Sequence, residues 1–150
     1  SSFLFTTLRE EHGVAYEVGI YHPMREFNCP FLMHASTSEE KSSLTLKLLQ
    51  DCWWSISNIL ISNEDLHLAK AKFRGHIAHS SQTISQKAGK KAHLIGLNMP
   101  SNYDLICLNK LNAITSYQLQ EAAKLYLQRP LLSLCGPSRT ISRLSKEWVN

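Results

Sequence analysis

A glycine at position 13 separates two incompatible periodicities, and that junction constrains the fold more than any other feature of the sequence. Leu8-Arg9-Glu10-Glu11-His12 has the character of a charged helix end, with Leu4, Phe5 and Leu8 on one side, and alternation begins at Val14. Glycine tolerates the left-handed backbone that terminates a helix, so the chain is expected to turn from helix to strand here. The turn puts Arg9 on the last helical turn and Tyr16 near the start of the strand, where a guanidinium and a phenol can converge at one end of a sheet. A core needs neither of them.

Beyond the turn, Val14, Tyr16, Val18 and Ile20 alternate with Ala15, Glu17, Gly19 and Tyr21, the period of a strand with one buried face. Pro23, Asn28 and Pro30 punctuate a connection to a second strand-like run, Phe31 to Ala35, and strands joined this closely should pair antiparallel. Thr37 followed by Glu40 is a capping-box signature for a helix carrying Leu44, Leu48, Cys52 and Ile56, widened by Leu49, Trp53 and Leu60. Trp53 and Trp54 fit either packing or an interface. Ser62 with Asp65 caps a second helix along Leu66, Phe73, Ile77, Ile84 and Ala88. Unbroken to Gly96 it would be about 50 Å long, so a break is expected at Ser80-Ser81-Gln82-Thr83, where side chains compete for backbone partners. Pro100 and Ser101 start a short helix through Leu111, and Thr115 with Gln118 caps another through Tyr126. Leu131 to Cys135 is an apolar run of strand length that would return to the sheet, and Ile141, Leu144 and Trp148 space a surface helix within a tail, 138–150. Strands grouped together and helices grouped together argue an α+β fold, an antiparallel sheet with helices packed on one face.

The 150 residues are read as a single domain, 1–150, large enough to bury about 70% of the surface of the unfolded chain. A hydrophobic content of 43% against 19% charged residues suits an ordinary globular protein, and no apolar run reaches the roughly 20 residues of a membrane span, so no membrane partner is expected. Cys29, Cys52, Cys107 and Cys135 lack C-x-x-C spacing, and thiols without evident pairing favour a reducing compartment, cytoplasmic or organellar. The net charge of +4 comes from dispersed basic residues with clusters at Lys70-Lys72-Arg74 and Lys87-Lys90-Lys91, which read as solvated helix faces rather than a nucleic-acid site. There is no G-x-S-x-G, Walker loop or dinucleotide glycine pattern. His76 and His79 share a helical face but have no carboxylate beside them in sequence, and His22, His34, His67 and His93 stand alone.

The stretch Leu4-Phe5-Thr6-Thr7-Leu8-Arg9-Glu10-Glu11-His12-Gly13-Val14-Ala15-Tyr16 resembles the L-F-x-x-L-R-E-x-x-G-x-x-Y segment of the pitrilysin, insulin-degrading enzyme and mitochondrial processing peptidase family of zinc peptidases, the inverzincins. Four further segments resemble the family in the same order: Ala35 to Lys41, Ile61 to Leu66 with Ala69-Lys70-Ala71, Ile114-Thr115, and Leu132 to Pro137. The resemblance implies a C-terminal-type domain of the LuxS/MPP-like metallopeptidase fold, truncated at its N-terminal end, with the chain cut from something longer.

The family's zinc motif, His-x-x-Glu-His, is missing. Leu8-Arg9-Glu10-Glu11-His12 imitates it with a leucine where the first imidazole must stand, so no metal ligand is assigned and zinc is expected only in the parent protein or a partner. In the family, as the resemblance implies, an arginine and a tyrosine such as Arg9 and Tyr16 reach toward the zinc helix of another domain or subunit. The arginine would hold a substrate backbone carbonyl and the tyrosine would donate to the oxygen that becomes negative in the tetrahedral intermediate. The competing reading pairs Arg9 with Glu10, Glu11 or Glu17 and leaves Tyr16 packing only. The expectation is a non-catalytic, chamber-forming domain of a zinc endopeptidase, with a peptide substrate and a zinc-binding domain or subunit as partners, as a homodimer or heterodimer. The alternative is a structural assembly subunit of the same fold, similar to the core proteins of the cytochrome bc1 complex.

Overall fold

A computed structural model describes Leu4 and residues 6–148 of the chain. Phe5, which the sequence places in the opening helix, lies outside the described residues. The fold is α+β, mostly helical with a two-stranded antiparallel sheet. The chain divides into two compact units, one built from residues 1–23, 29–59 and 123–150, the other from 24–28 and 60–122.

The first unit begins with a π-helical segment, Thr6–Glu11, where the sequence suggested an ordinary helix end. The wider winding is closed by Val14 N–H donating to the Leu8 carbonyl at 2.9 Å across Gly13, whose φ is +57°. That bond spans one residue more than the usual left-handed helix stop, so Gly13 plays its expected role on a wider turn. Leu8 is driven completely into the core while Arg9, Glu10 and Glu11 stay at the surface.

Strands β1 (Glu17–Tyr21) and β2 (Leu32–Ser36) then pair antiparallel, with Gly19 opposite His34, as the short connection required. His34 lies over Gly19 so closely that a Cβ there would stand 2.8 Å from its Nε2, which explains the glycine within a strand. Val18, Met33 and Ala35 pack inward against the core of Leu4, Leu8, Val14, Ala15 and Cys52. Tyr16, which alternation assigned to the buried face, is 75% exposed, and burial does not alternate along the strand: Val14 and Ala15 are both buried, Val18 and Gly19 both half-buried, and Ile20, also expected inward, is exposed.

Helix α1 (Ser42–Asn58) covers this core through Leu48, Leu49 and Cys52. Two details of the sequence reading change. Thr37 does not cap the helix, whose N-cap is Lys41 without a side-chain bond; its hydroxyl is diverted to the Val14 carbonyl. Leu44 is exposed, and Ser42, Thr45 and Leu46 are buried in its place, since the two hydroxyls satisfy themselves on the carbonyls of Glu39 and Lys41. Burial raises the Cys52 thiol above its ordinary range, as does the neighbouring Asp51 carboxylate, against a lowering hydrogen bond from Thr7. Such a thiol is a core hydrophobe.

Trp53 is a packing residue: its indole N–H donates to the Leu127 carbonyl at 3.0 Å and its ring meets Phe31 edge-on. Leu131 to Cys135 does not form the expected strand. Pro130 and Pro137 bound it, Arg129 before it is left-handed, Leu131 is 97% exposed, and the two strands of the described sheet pair with each other. Helix α6 (Ser138–Trp148) buries Thr140 and Leu144 and docks on α1.

Continuing the numbering in chain order, the second unit holds α2 (Asn63–His79), α3 (Ile84–Gly96), α4 (Tyr103–Leu111) and most of α5 (Ser116–Tyr126). The expected break falls between His79 and Ile84, where Thr83 and Gln86 form a reciprocal capping box. Ser62 caps α2 and Thr115 with Gln118 caps α5, as their spacing required. After α3 the left-handed residue is Asn98, not Gly96: Met99 N–H returns to the Leu94 carbonyl and Asn98 N–H to Ile95, a Schellman stop. Basic residues knit this unit. Lys70 donates to the carbonyls of Asn112 and Ile114 just beyond α4, Arg74 to the Asn112 side chain, and Lys90 pairs with Asp104. None of the helices among the described residues is long and apolar enough to cross a membrane.

Candidate functional site

Arg9 and Tyr16 emerge from the two arms of one glycine turn on the first unit, both at the surface. The physical basis is the burial that brackets them. Leu8 immediately before Arg9, and Val14 and Ala15 immediately before Tyr16, are 0%, 4% and 8% exposed, so each polar side chain leaves from a backbone position pinned by a core residue. A guanidinium with five donors and a phenol with one present the chemistry needed to grip carbonyl oxygens.

The turn between them is held from outside by the segment that leads into α1. Lys41 Nζ donates to the Gly13 carbonyl at 2.9 Å, and Thr37 Oγ1 donates to the Val14 carbonyl. Tyr16 N–H donates to the Ser36 carbonyl at 2.8 Å. The buried Thr45 hydroxyl stands 3.1 Å from that of Thr37. Carbonyls at a helix stop have no intrahelical partner, and here a hydroxyl and an ammonium satisfy them. Inspection of the sequence missed Thr37 and Lys41 as parts of the site. Thr37, three residues before Glu40, suited a helix start, Lys41 carried no such signal, and only the tertiary structure brings the two across to the turn.

Two depressions open to solvent lie elsewhere on the first unit. One of about 510 Å³ is lined by Trp53, Trp54, Asn58, Leu127 and Arg129 among others, and one of about 410 Å³ by Leu44, Lys47, Gln50 and Glu147 among others. Neither is lined by Arg9 or Tyr16. His76 and His79 lie on the last turn of α2, where an imidazole suits the negative end of a helix. His22 Nδ1 is 3.0 Å from the Pro30 carbonyl.

The chain matches no protein-family model. It is similar to an uncharacterized zinc protease of Bacillus subtilis, YmxG, at 26% identity over 142 residues, covering 92% of this chain and 34% of that protein. It is also similar to an uncharacterized zinc protease of Rickettsia felis, at 24% identity over 141 residues, with the same shares covered. The chain thus has a distant relationship to zinc proteases and spans about a third of the length of the curated relatives it matches. The residues present here do not fit the zinc those names imply. Among the described residues no three His, Cys, Asp or Glu side chains gather as a metal ion requires. In the imitation motif, the position of the first imidazole is taken by Leu8, which fills the core.

Proposed function

We propose that this chain is the substrate-holding, non-catalytic portion of a pitrilysin-like zinc endopeptidase, a C-terminal-type domain completing an active site whose zinc motif lies on another domain or subunit. The observation that carries this reading is the exposure of Tyr16 beside the buried pair Val14 and Ala15. A phenol held out from a rigid anchor, one turn from an arginine, is suited to a ligand rather than to a core. Arg9 grips a backbone carbonyl of an extended peptide through its planar fork. Tyr16 donates its hydroxyl proton to the carbonyl oxygen of the bond being cleaved, a contact that strengthens as charge develops there. The chain's own contribution is to bind and orient the peptide.

Two measurements test this. The isolated chain, offered a quenched fluorogenic peptide with and without zinc, is expected to give no turnover above background; chelator-sensitive hydrolysis would overturn the reading. In the parent enzyme, Tyr16→Phe is expected to lower kcat by about 10²–10³-fold, the usual loss for one donor to a developing oxyanion, with KM little changed. Full activity in both Tyr16→Phe and Arg9→Gln would instead favour an assembly subunit without peptidase work.

A further inference from the structure

The Gly13 carbonyl lies at the surface, whereas that of Val14, a core residue 4% exposed, needs a partner from within the protein, and two side chains from a distant part of the sequence close over both. Thr37 and Lys41 are 23 and 28 positions from the residues whose carbonyls they hold, Val14 and Gly13. Helix α1 starts without a side-chain cap, its N-cap position being Lys41, whose ammonium is turned to the Gly13 carbonyl. The backbone of Tyr16 is fixed by the same segment, through the carbonyl of Ser36. Segment 36–41 therefore bonds three successive points of the arm that runs from Gly13 to Tyr16.

We infer that Thr37 and Lys41 are positioning residues, holding the Gly13 turn so that Tyr16 and Arg9 keep a fixed relation to a bound peptide. This rests on the reading of Arg9 and Tyr16 as peptide-gripping groups, and it adds the residues through which their geometry is set. Thr37 acts on the arm leading to Tyr16, and Lys41 on the glycine carbonyl at the apex, whose peptide plane orients both arms. Neither side chain is assigned a contact with substrate.

The test uses the full chain with 3-fluorotyrosine incorporated, the resonance of position 16 being identified by its loss in Tyr16→Phe. The pairs Thr37→Val with Thr37→Ser, and Lys41→Met with Lys41→Arg, remove and then restore each donor. Thr83→Ala, which removes the α3 cap in the second unit, controls for lost stability. Binding is followed by the anisotropy of a fluorescein-labelled unstructured peptide. Expected are a shifted or broadened position-16 resonance and about five- to tenfold weaker peptide binding in Thr37→Val and Lys41→Met, the worth of one hydrogen bond. Thr37→Ser and Lys41→Arg should restore both readouts, and Thr83→Ala should move neither. Lys41 is exposed, so its variant tests the inference even if Thr37→Val folds poorly. A position-16 resonance unchanged in both donor-deleted variants overturns the inference. If the wild-type chain binds no peptide while that resonance still responds to Thr37 and Lys41, the positioning role stands and the peptide-holding function fails.

Discussion

Gly13 shows how one residue can be required by conformation alone. A Cβ built there meets nothing within 4 Å, so no contact forbids a side chain, but its φ of +57° lies where L-residues are strained. Gly13→Ala is therefore expected to lower stability by about 1–2 kcal/mol, with Gly13→Asn milder, as read from urea denaturation midpoints. Gly19 is the opposite case. There the His34 ring occupies the space a Cβ needs, and the backbone is an ordinary strand. Arg9 and Tyr16 follow the same division between cause and consequence. Their exposure comes from neighbours that are buried, so the site is set by Leu8, Val14 and Ala15 as much as by the groups that would touch a ligand.

At the level of elements, α1 is the hub of the first unit, covering the core and receiving α6. Docking of α6 combines an apolar residue with a polar seam. Leu144 is buried, Thr140 donates to Glu39 Oε1 at 2.7 Å, and Arg143 donates to Ser42 Oγ at 2.8 Å. Glu39 and Ser42 flank Lys41, so the tail helix braces the same segment that holds the glycine turn. Leu144→Ala should cost about 2–5 kcal/mol through lost burial and an unfilled cavity, measurable as a lowered unfolding midpoint. Ser43→Ala, which loses only an exposed bond to Glu147, should stay within about 0.5 kcal/mol of wild type. The apolar run 131–135 shows the limit of composition for assigning elements. Its residues suit a strand, but a strand exists only where a neighbour supplies ladder partners.

At the scale of the whole molecule, no set of three metal-binding side chains accompanies Arg9 and Tyr16 among the described residues. Candidate donors for zinc are scattered: Glu10, Glu11 and His12 face solvent on the π-helical segment and its stop, and His76 and His79 end α2 in the other unit. A folded-state site binding zinc a hundredfold more tightly than the added concentration would stabilise the chain by about 2.7 kcal/mol. Titration with excess zinc is accordingly expected to leave the thermal midpoint of this chain in place, and an upward shift would reveal a donor set that the fold does not bring together.

The sequence by itself determined what local chemistry controls. It placed the turn at Gly13, the pairing of two closely joined strands, the caps at Ser62 and Thr115, the break after His79, and Arg9 and Tyr16 as residues that a core does not need. These follow from backbone preference and short-range hydrogen bonding, which a few neighbouring residues specify. Tertiary structure decided the rest: the π winding that sinks Leu8, the exposure of Tyr16 against its alternation, the release of Leu44 to solvent, and the clamp of Thr37 and Lys41 on a turn more than 20 positions away. Each depends on which distant group offers a donor, an acceptor or a cavity, and residue spacing does not encode that.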